Sequence, residues 1–205
     1  MGRPPNTDAR RAQIVRAFGD VMATRGYEGA TVARVAEQAG LAPGLVHYHF
    51  ESKLEILIAL ADELAMAARG RIDLRSGHAA PDPDAQLDAF LDGLLATGDD
   101  AEPGGVACWT LIGAEAVLRG EVRAIYAPFV AEMIDRLRRR VVAVCHAHGR
   151  SGEGAGAIAA ALVATIEGYF AVAAAAPEAI PRGSAAPMAK RMAAGLCAAQ
   201  PRRER

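Results

Sequence analysis

Apolar residues along the chain recur mostly at the spacing of an α-helix, and the period-two alternation and β-branched clusters typical of strands are almost absent. The pattern therefore predicts an all-α protein. Its first apolar stripe shares one helical face and comprises Ile14, Phe18, Val21 and Met22. This stripe predicts a helix from about Asp8 to Arg25, which Gly26 ends.

Two short helices and a longer one are predicted directly after the first. Thr31 is suited to cap the second helix and Gly40 to end it. Pro43 fits the first turn of a third helix that runs to about Phe50, and Ser52-Lys53-Leu54-Glu55 has the form of a capping box for a long fourth helix. A short helix, a tight turn and a second short helix form a helix-turn-helix, whose second helix presents side chains to the major groove of DNA.

The remainder of the chain also has helical periodicity. A polar stretch with several prolines, between Arg75 and Asp84, is the best candidate for a break in organisation. Beyond it the apolar pattern predicts five further helices, at about residues 87–95, 106–119, 122–144, 155–176 and 184–197.

Composition narrows the class of protein. An apolar content of 52% predicts a sizeable core, and a net charge of -1 excludes a histone-like basic protein. The N-terminus lacks the apolar core of a signal peptide, and no charge-free apolar run reaches the roughly 18 residues of a spanning helix. We therefore predict a cytoplasmic protein without a membrane partner. Cys108, Cys145 and Cys197 are interpreted as reduced packing residues.

The stretch LAPGLVHYHFESK, residues 41–53, first suggests a metal site. His47 and His49 are, however, about 200° apart around a helix and cannot chelate one ion there. No acid or nucleophile completes a catalytic set beside them, because Ser52 begins the next helix. We therefore predict no metal, no cofactor and no enzymatic activity at this site.

Helical phase divides the third helix into two faces. Val46 and Phe50 point inward, with Leu41 beside them, while an outward face offers Pro43, Gly44, His47 and Tyr48, with Leu45 and His49 at its flanks. Flat rings with hydrogen-bonding tips suit base edges or phosphates, and Lys53 stands at a helix N-terminus, where phosphate is favoured. The N-terminus adds a basic arm that can reach phosphates or the minor groove, with a solvated tail as the alternative for Arg3: Arg3, Arg10, Arg11 and Arg16.

The motif reads Thr31-Val32-x-x-Val35-Ala36-x-x-Ala39-Gly40-Leu41-Ala42-x-Gly44, then Tyr48-His49-Phe50-x-Ser52-Lys53, after a helix closed by Gly26-Tyr27. Residues 8–60 thereby resemble the DNA-binding domain of the tetracycline-repressor (TetR) family. The resemblance implies a homodimeric one-component regulator, usually a repressor, that binds a palindromic operator in double-stranded DNA. Residues 61–199 would then form a helical domain that dimerises, binds a small-molecule effector and so releases the DNA.

The resemblance also implies roles for single residues. Thr31 would cap the first helix of the motif, Gly44, Leu45, His47, Tyr48 and His49 would lie on the recognition helix, and Lys53 would hold a phosphate. The chain departs from the family's usual residues at Ala42, where Ser or Thr is common, at Leu45, where Thr or Asn is common, and at His47, where an aromatic residue is common.

The C-terminal half offers candidates for a dimer interface and a pocket. The helix at 155–176 is apolar around most of its circumference and needs cover, either within the monomer or from a second copy. Interface candidates are Ile158, Leu162, Ile166, Phe170, Met188 and Met192. Candidates that either line a ligand pocket or belong to plain core are Phe90, Leu94, Trp109, Ile112, Tyr126, Phe129, Met133 and Tyr169.

Two polar features remain in this half. Glu115 either contacts a polar group of a ligand or has a solvated or helix-capping role. A solvated helix face is predicted for the run Arg136, Arg138, Arg139 and Arg140. Two other functions compete with the regulator: a small all-α enzyme, which would need converging titratable groups, and a helical protein-interaction adaptor, which would show no salt-dependent affinity for DNA.

Overall fold

The computed structural model describes residues 6–95 and 103–203 of the chain. Over these residues the regular structure is helical apart from one isolated bridge between Arg150 and Arg202, so the all-α prediction is confirmed. The helices are α1 (Asn6–Gly29), α2 (Val32–Ala39), α3 (Pro43–His49), α4 (Lys53–His78), α5 (Pro83–Leu95), α6 (Pro103–Leu118), α7 (Gly120–Ala147), α8 (Ala155–Ala175) and α9 (Ala185–Ala198), with a short 3₁₀ segment at Pro177–Ala179.

The chain forms two compact units. The first contains the described part of residues 1–64 together with residues 103–126, and the second contains the described parts of residues 65–102 and 127–205. Helix α4 therefore contributes to both units, and α6 belongs to the first unit although it lies far along the chain.

The core of the first unit fixes the orientation of the helix-turn-helix. Val35, Val46 and Phe50, the predicted inward positions, are at most 1% exposed. They belong to one cluster with residues of α1 and of α6, including Phe18 and Ile112. Because Val46 is buried, the opposite face of α3 points to solvent.

Helix ends in the first unit follow local signals. Gly26, with φ 68° and ψ 174°, interrupts α1 where the sequence predicts its end, and one further turn follows. Thr31 accepts a hydrogen bond from the backbone N–H of Arg34 at 3.4 Å, and Gly40 closes α2 in the left-handed conformation. Ala42, the N-cap of α3, makes no side-chain capping bond.

In the second unit the break between α4 and α5 is shorter than predicted. α4 continues to His78 and α5 begins at Pro83, so only residues 79–82 connect them. The amide of Gln86 stabilises this short connection, since it donates to the carbonyl of Ser76 in the last turn of α4 and to those of Ala79 and Ala80 directly after it.

The prediction of a solvated arginine face on α7 is wrong for two of its four residues. The side chain of Arg136 is 15% exposed and pairs with Asp73, and the guanidinium of Arg140 stacks 4.6 Å from the ring centroid of Phe90. Arginine can bury its aliphatic stem and stack on aromatic rings, so a charged residue in the sequence does not by itself indicate a solvated position. Arg138 and Arg139 are exposed as predicted and pair with Asp135.

Helix α8 is unusually apolar. Its 21 residues and a mean hydropathy of 1.8 would allow it to span a membrane by length and composition, a test that core helices of soluble proteins also pass. Only 28% of this apolar window is buried within the chain. Much of the surface of α8 is therefore small and apolar, and is not covered by the described part of the chain.

Candidate nucleic-acid interface

The exposed side of α3 is the most conspicuous feature of the first unit. Tyr48 is 74% exposed, and Pro43, Gly44 and His47 are also exposed, whereas Leu45 and His49 are half-buried. The rings of Tyr48 and His49 meet edge to face with centroids 5.0 Å apart. The structure thus brings together, on one seven-residue helix, the side chains predicted for the recognition helix.

Gly44 occupies open space in the free protein. A Cβ built on Gly44 meets no atom within 4 Å, and its φ is not positive, so neither packing nor backbone strain requires glycine here. A close approach of another molecule to the backbone is one physical reason for glycine at such a position.

The C-terminus of α3 is held by Arg11, which the sequence suggested as part of a DNA-binding arm. Its guanidinium donates to the carbonyl of His49 and, at 3.1 Å, to the carboxylate of Glu55, and it lies 3.9 Å from the ring centroid of Phe50. The role of Arg11 as a free arm residue is therefore corrected to a packing and capping role. Arg16 is exposed, and Arg3 lies outside the described residues.

Gln13 holds the C-terminus of α2, as Arg11 holds that of α3. Its amide donates to the carbonyl of Ala39 at 2.7 Å and accepts a hydrogen bond from Arg10 at 2.7 Å. Side chains of α1 thus satisfy terminal carbonyls of both helices of the motif, which have no partner within their own helix. This bonding fixes the angle at which α3 is presented.

The start of α4 is capped as predicted, with one difference. The hydroxyl of Ser52 accepts from the N–H of Glu55 at 3.1 Å, as in a capping box. The carboxylate of Glu55 accepts from the N–H of Glu51 at 2.7 Å, one residue before the usual position. Two hydrogen bonds to Glu55 thus close the junction between α3 and α4.

Lys53, predicted to hold a phosphate, has partners inside the first unit. Its ammonium donates to the carbonyl of Tyr27 at 3.0 Å and to the carboxylate of Glu28 at 3.4 Å. It also lies 4.0 Å from the ring centroid of Tyr27, and its side chain is 23% exposed. These contacts orient Lys53 before any ligand is bound.

Two comparisons with known families match this geometry. Residues 14–60 match the model described as "Bacterial regulatory proteins, tetR family", and residues 83–198, more than half of the chain, match "BetI-type transcriptional repressor, C-terminal". The chain belongs to the TetR family of transcriptional regulators. Its helix-turn-helix is therefore the DNA-binding motif of that family, and its C-terminal helices are of the BetI type.

Individual relatives agree with this family. The chain is 33% identical over 98 residues to the BetI regulator of Stenotrophomonas maltophilia, covering 48% of each protein, and 29% identical over 151 residues to BetI of Rhizobium meliloti, covering 73% of each. The first alignment thus spans about half of that relative.

Solved structures share the fold. A transcriptional regulator from Rhodococcus sp. Rha1 has a TM-score of 0.80 at 22% identity, with 93% of this chain and 97% of that chain covered. A protein from Saccharomonospora viridis, described as a transcriptional regulator in complex with choline, has a TM-score of 0.78 at 18% identity, with 96% and 100% covered.

The residues predicted to line an effector pocket of this TetR-family chain are distributed over both units. Trp109, Ile112, Glu115 and Tyr126 lie in the first unit, and Phe90, Leu94, Phe129, Met133 and Tyr169 in the second. The rings of Trp109 and Tyr126 stack with centroids 5.1 Å apart. A cavity of about 710 Å³ lies elsewhere in the second unit and is lined by Val142, His146, Ser151, Gly152, Glu153, Pro201, Arg202 and Arg203.

Glu115 is not a free acid awaiting a ligand. Its carboxylate accepts from Arg119 at 2.7 Å, an ion pair between residues four apart, and its side chain is 17% exposed. The sequence suggested a ligand contact, a solvated residue or a helix cap, and the ligand contact stays a prediction. The spacing of four residues on a helix was the available signal.

The predicted dimer stripe on α8 requires a correction. Ile158, Leu162 and Ile166 are 1–6% exposed within the single chain, because this face of α8 packs inside the second unit. Large apolar side chains exposed at 36–43% are Val172 on α8 and three on α9, namely Leu196 and the predicted interface candidates Met188 and Met192. Phe170 is half-buried. Helical periodicity predicted which face of α8 is buried, but not whether the same chain or a second copy covers it.

Proposed function

We propose that this TetR-family regulator binds a palindromic operator as a homodimer, with α3 of each subunit in the major groove. The observation that carries the proposal is the exposed face of α3, where Gly44, His47 and Tyr48 lie together on a helix fixed from behind by Val46 and at its end by Arg11. A rigid helix that presents rings and a bare backbone segment is suited to base edges and phosphates.

Roles within this interface follow from exposure. Tyr48 and His47 offer hydrogen-bonding rings for bases or phosphates, while Leu45 and His49, being half-buried, can contact DNA only with their outer edges. Thr31 is exposed and holds the start of α2, where backbone N–H groups favour a phosphate. Arg3 is proposed as a contact in the preceding arm.

A homodimer is supported by the uncovered apolar surface of α8 and α9. Met188, Met192 and Leu196 recur at intervals of four residues and form one exposed stripe along α9. Paired with the largely uncovered α8, this stripe can bury apolar surface against the same surface of a second copy, as isologous interfaces do. Two heads related in this way would read half-sites about 10 base pairs, or a multiple of that, apart.

Release by a small-molecule effector is supported by the BetI-type C-terminal region. Choline is the first compound to test, because a structural neighbour of this fold was crystallised with it. The nine predicted pocket residues remain the candidates for effector contacts.

Fluorescence anisotropy with labelled duplex from the region upstream of the gene tests DNA binding. Wild type should bind with a salt-dependent affinity, and Tyr48→Ala should lose roughly 5- to 150-fold in specific affinity per subunit, because each good base contact contributes about 1–3 kcal/mol. Met66→Ala is the matched control, since Met66 is 68% exposed and belongs to the second unit, whereas the proposed interface belongs to the first.

The outcomes separate the competing functions. Absence of salt-dependent binding by wild type would refute the proposal and favour the adaptor or the enzyme. If DNA binds and choline does not release it, only the choice of effector is refuted. Equal affinity of Tyr48→Ala and wild type for the duplex would refute the proposal that α3 contacts the base pairs.

A further inference from the structure

A charged cluster joins the end of α1, the start of α4 and the connection between α6 and α7. Arg119 is the one residue between α6 and α7, and it comes, like its ion-pair partner Glu115, from outside residues 14–60. Its guanidinium lies 4.8 Å from the ring centroid of Tyr27, and its Nη2 donates to the carboxylate of Glu28 at 3.4 Å.

Glu28 is shared between two cations. Its Oε1 accepts from Arg119 and its Oε2 from Lys53, both at 3.4 Å, while the side chain itself is 81% exposed. Both cations also lie within 5 Å of the ring centroid of Tyr27, which is 6% exposed and therefore fixed. Lys53 thus has one rigid partner, Tyr27, and one weak, solvated partner, Glu28.

The charges of this cluster balance only when Arg119 is present. Arg119 and Lys53 are positive, and Glu28 and Glu115 are negative; Glu115 is bound to Arg119 at 2.7 Å. A phosphate that approaches Lys53 must compete with Glu28 for the ammonium and is repelled by the same carboxylate. By holding the other oxygen of Glu28, Arg119 neutralises this repulsion and leaves Lys53 a donor for the phosphate.

We propose that Arg119 is a positioning residue that keeps Lys53 available for a DNA phosphate by holding the carboxylate of Glu28. The proposal rests on the proposed function, in which Lys53 contacts DNA. It makes the connection between α6 and α7 part of the DNA-binding machinery, since displacement of Arg119 changes the charge beside the phosphate contact. Exposed ion pairs are weak, so the expected change is about two- to fivefold in affinity per subunit.

Titration of DNA binding with salt provides the first test. Arg119→Ala should weaken binding to every sequence about two- to fivefold and reduce the salt slope by about one phosphate contact, as Lys53→Ala should. In the Glu28→Gln background Arg119→Ala should have little further effect, because the carboxylate that Arg119 holds is gone. Arg119→Lys keeps the charge and should recover part of the affinity.

Arg123→Ala is the matched control. Arg123 is exposed and lies on α7, one turn after Arg119, without a contact to Glu28. Its substitution by alanine removes the same charge. Equal effects of Arg119→Ala and Arg123→Ala would overturn the proposal in favour of a general loss of positive charge. Failure of the Glu28→Gln background to suppress the effect of Arg119→Ala would likewise overturn it, in favour of a purely structural role.

Acetylation of the free protein gives a second test that needs no DNA. The chain has two lysines, Lys53 and Lys190, and Lys190 is an internal reference held by Asp92 at 2.7 Å. In Arg119→Ala the carboxylate of Glu28 is left to Lys53 alone and should hold its ammonium more tightly, so acetylation of Lys53 relative to Lys190 should slow by about two- to fivefold. Glu28→Gln removes this partner and should accelerate the reaction. An unchanged ratio in both variants refutes the coupling, whereas absence of DNA binding by wild type refutes the proposed function alone.

Discussion

Gly44 allows DNA binding and stability to be separated by one methyl group. It is the second residue of α3, and an added Cβ meets nothing within 4 Å in the free protein. Alanine is a better helix former than glycine by about 0.5–1 kcal/mol, partly because it restricts the unfolded chain. Gly44→Ala should therefore raise the free energy of unfolding by up to about 1 kcal/mol, or the melting temperature by roughly 2–4 °C.

The same methyl group should weaken DNA binding. If the backbone of α3 approaches the groove wall to van der Waals distance, a Cβ at residue 44 must push the helix away. Displacement of one good base contact costs about 1–3 kcal/mol, which corresponds to roughly 5- to 150-fold in affinity per subunit. Anisotropy titrations measure this loss, and chemical denaturation measures the gain in stability on the same preparation.

Gly70→Ala is the matched control for both measurements. Gly70 is exposed on α4, and a Cβ there also meets nothing within 4 Å. It should stabilise the chain by a similar amount and leave DNA affinity unchanged. Wild-type affinity in Gly44→Ala would show that the backbone at Gly44 does not approach DNA, and would refute the orientation of α3 proposed above.

Two other predictions concern pH and assembly. Burial and, to a smaller extent, the charge of Asp20 raise the pKa of Cys108 from 9.0 to about 11. The thiol therefore ionises at lower pH in the unfolded chain than in the folded one. As a result, the free energy of unfolding falls as pH rises from 9 to 11. Wild type should lose up to roughly 3 kcal/mol more than Cys108→Ala over this range, and parallel denaturation curves would contradict it. Met192→Glu should convert the dimer to a monomer, as measured by light scattering. Ala194→Glu, which lies about 200° around α9 from Met192, should leave the dimer intact. A dimer in both variants would place the interface elsewhere.

The boundaries of α2 and α3 could be predicted because their signals are local. Thr31 caps a residue three positions away, Gly40 adopts a conformation that few other residues favour, and Pro43 starts a helix without a lost hydrogen bond. None of these depends on the remainder of the fold. The inward positions Val46 and Phe50 follow from helical phase alone, and both are buried.

Contacts between residues far apart in the chain could not be predicted. Arg11 bonds to the carbonyl of His49, 38 residues away, and Arg136 pairs with Asp73, 63 residues away. Both arginines belong to short basic runs, and such runs are more often solvated. Likewise, the period of the α8 stripe shows that Ile158 needs cover, but the second unit and a partner copy would produce the same period.

The position of α6 in the first unit has a consequence for recombination among related regulators. Cys108 donates to the carbonyl of Gly19, and Ile112 shares a core with Phe18, so the reading head is assembled from two separate stretches of gene. A chimera that exchanges only residues 14–60 would set a foreign α1 against a native α6. An exchange of the DNA-binding unit between related regulators should therefore include residues 103–126 together with residues 14–60.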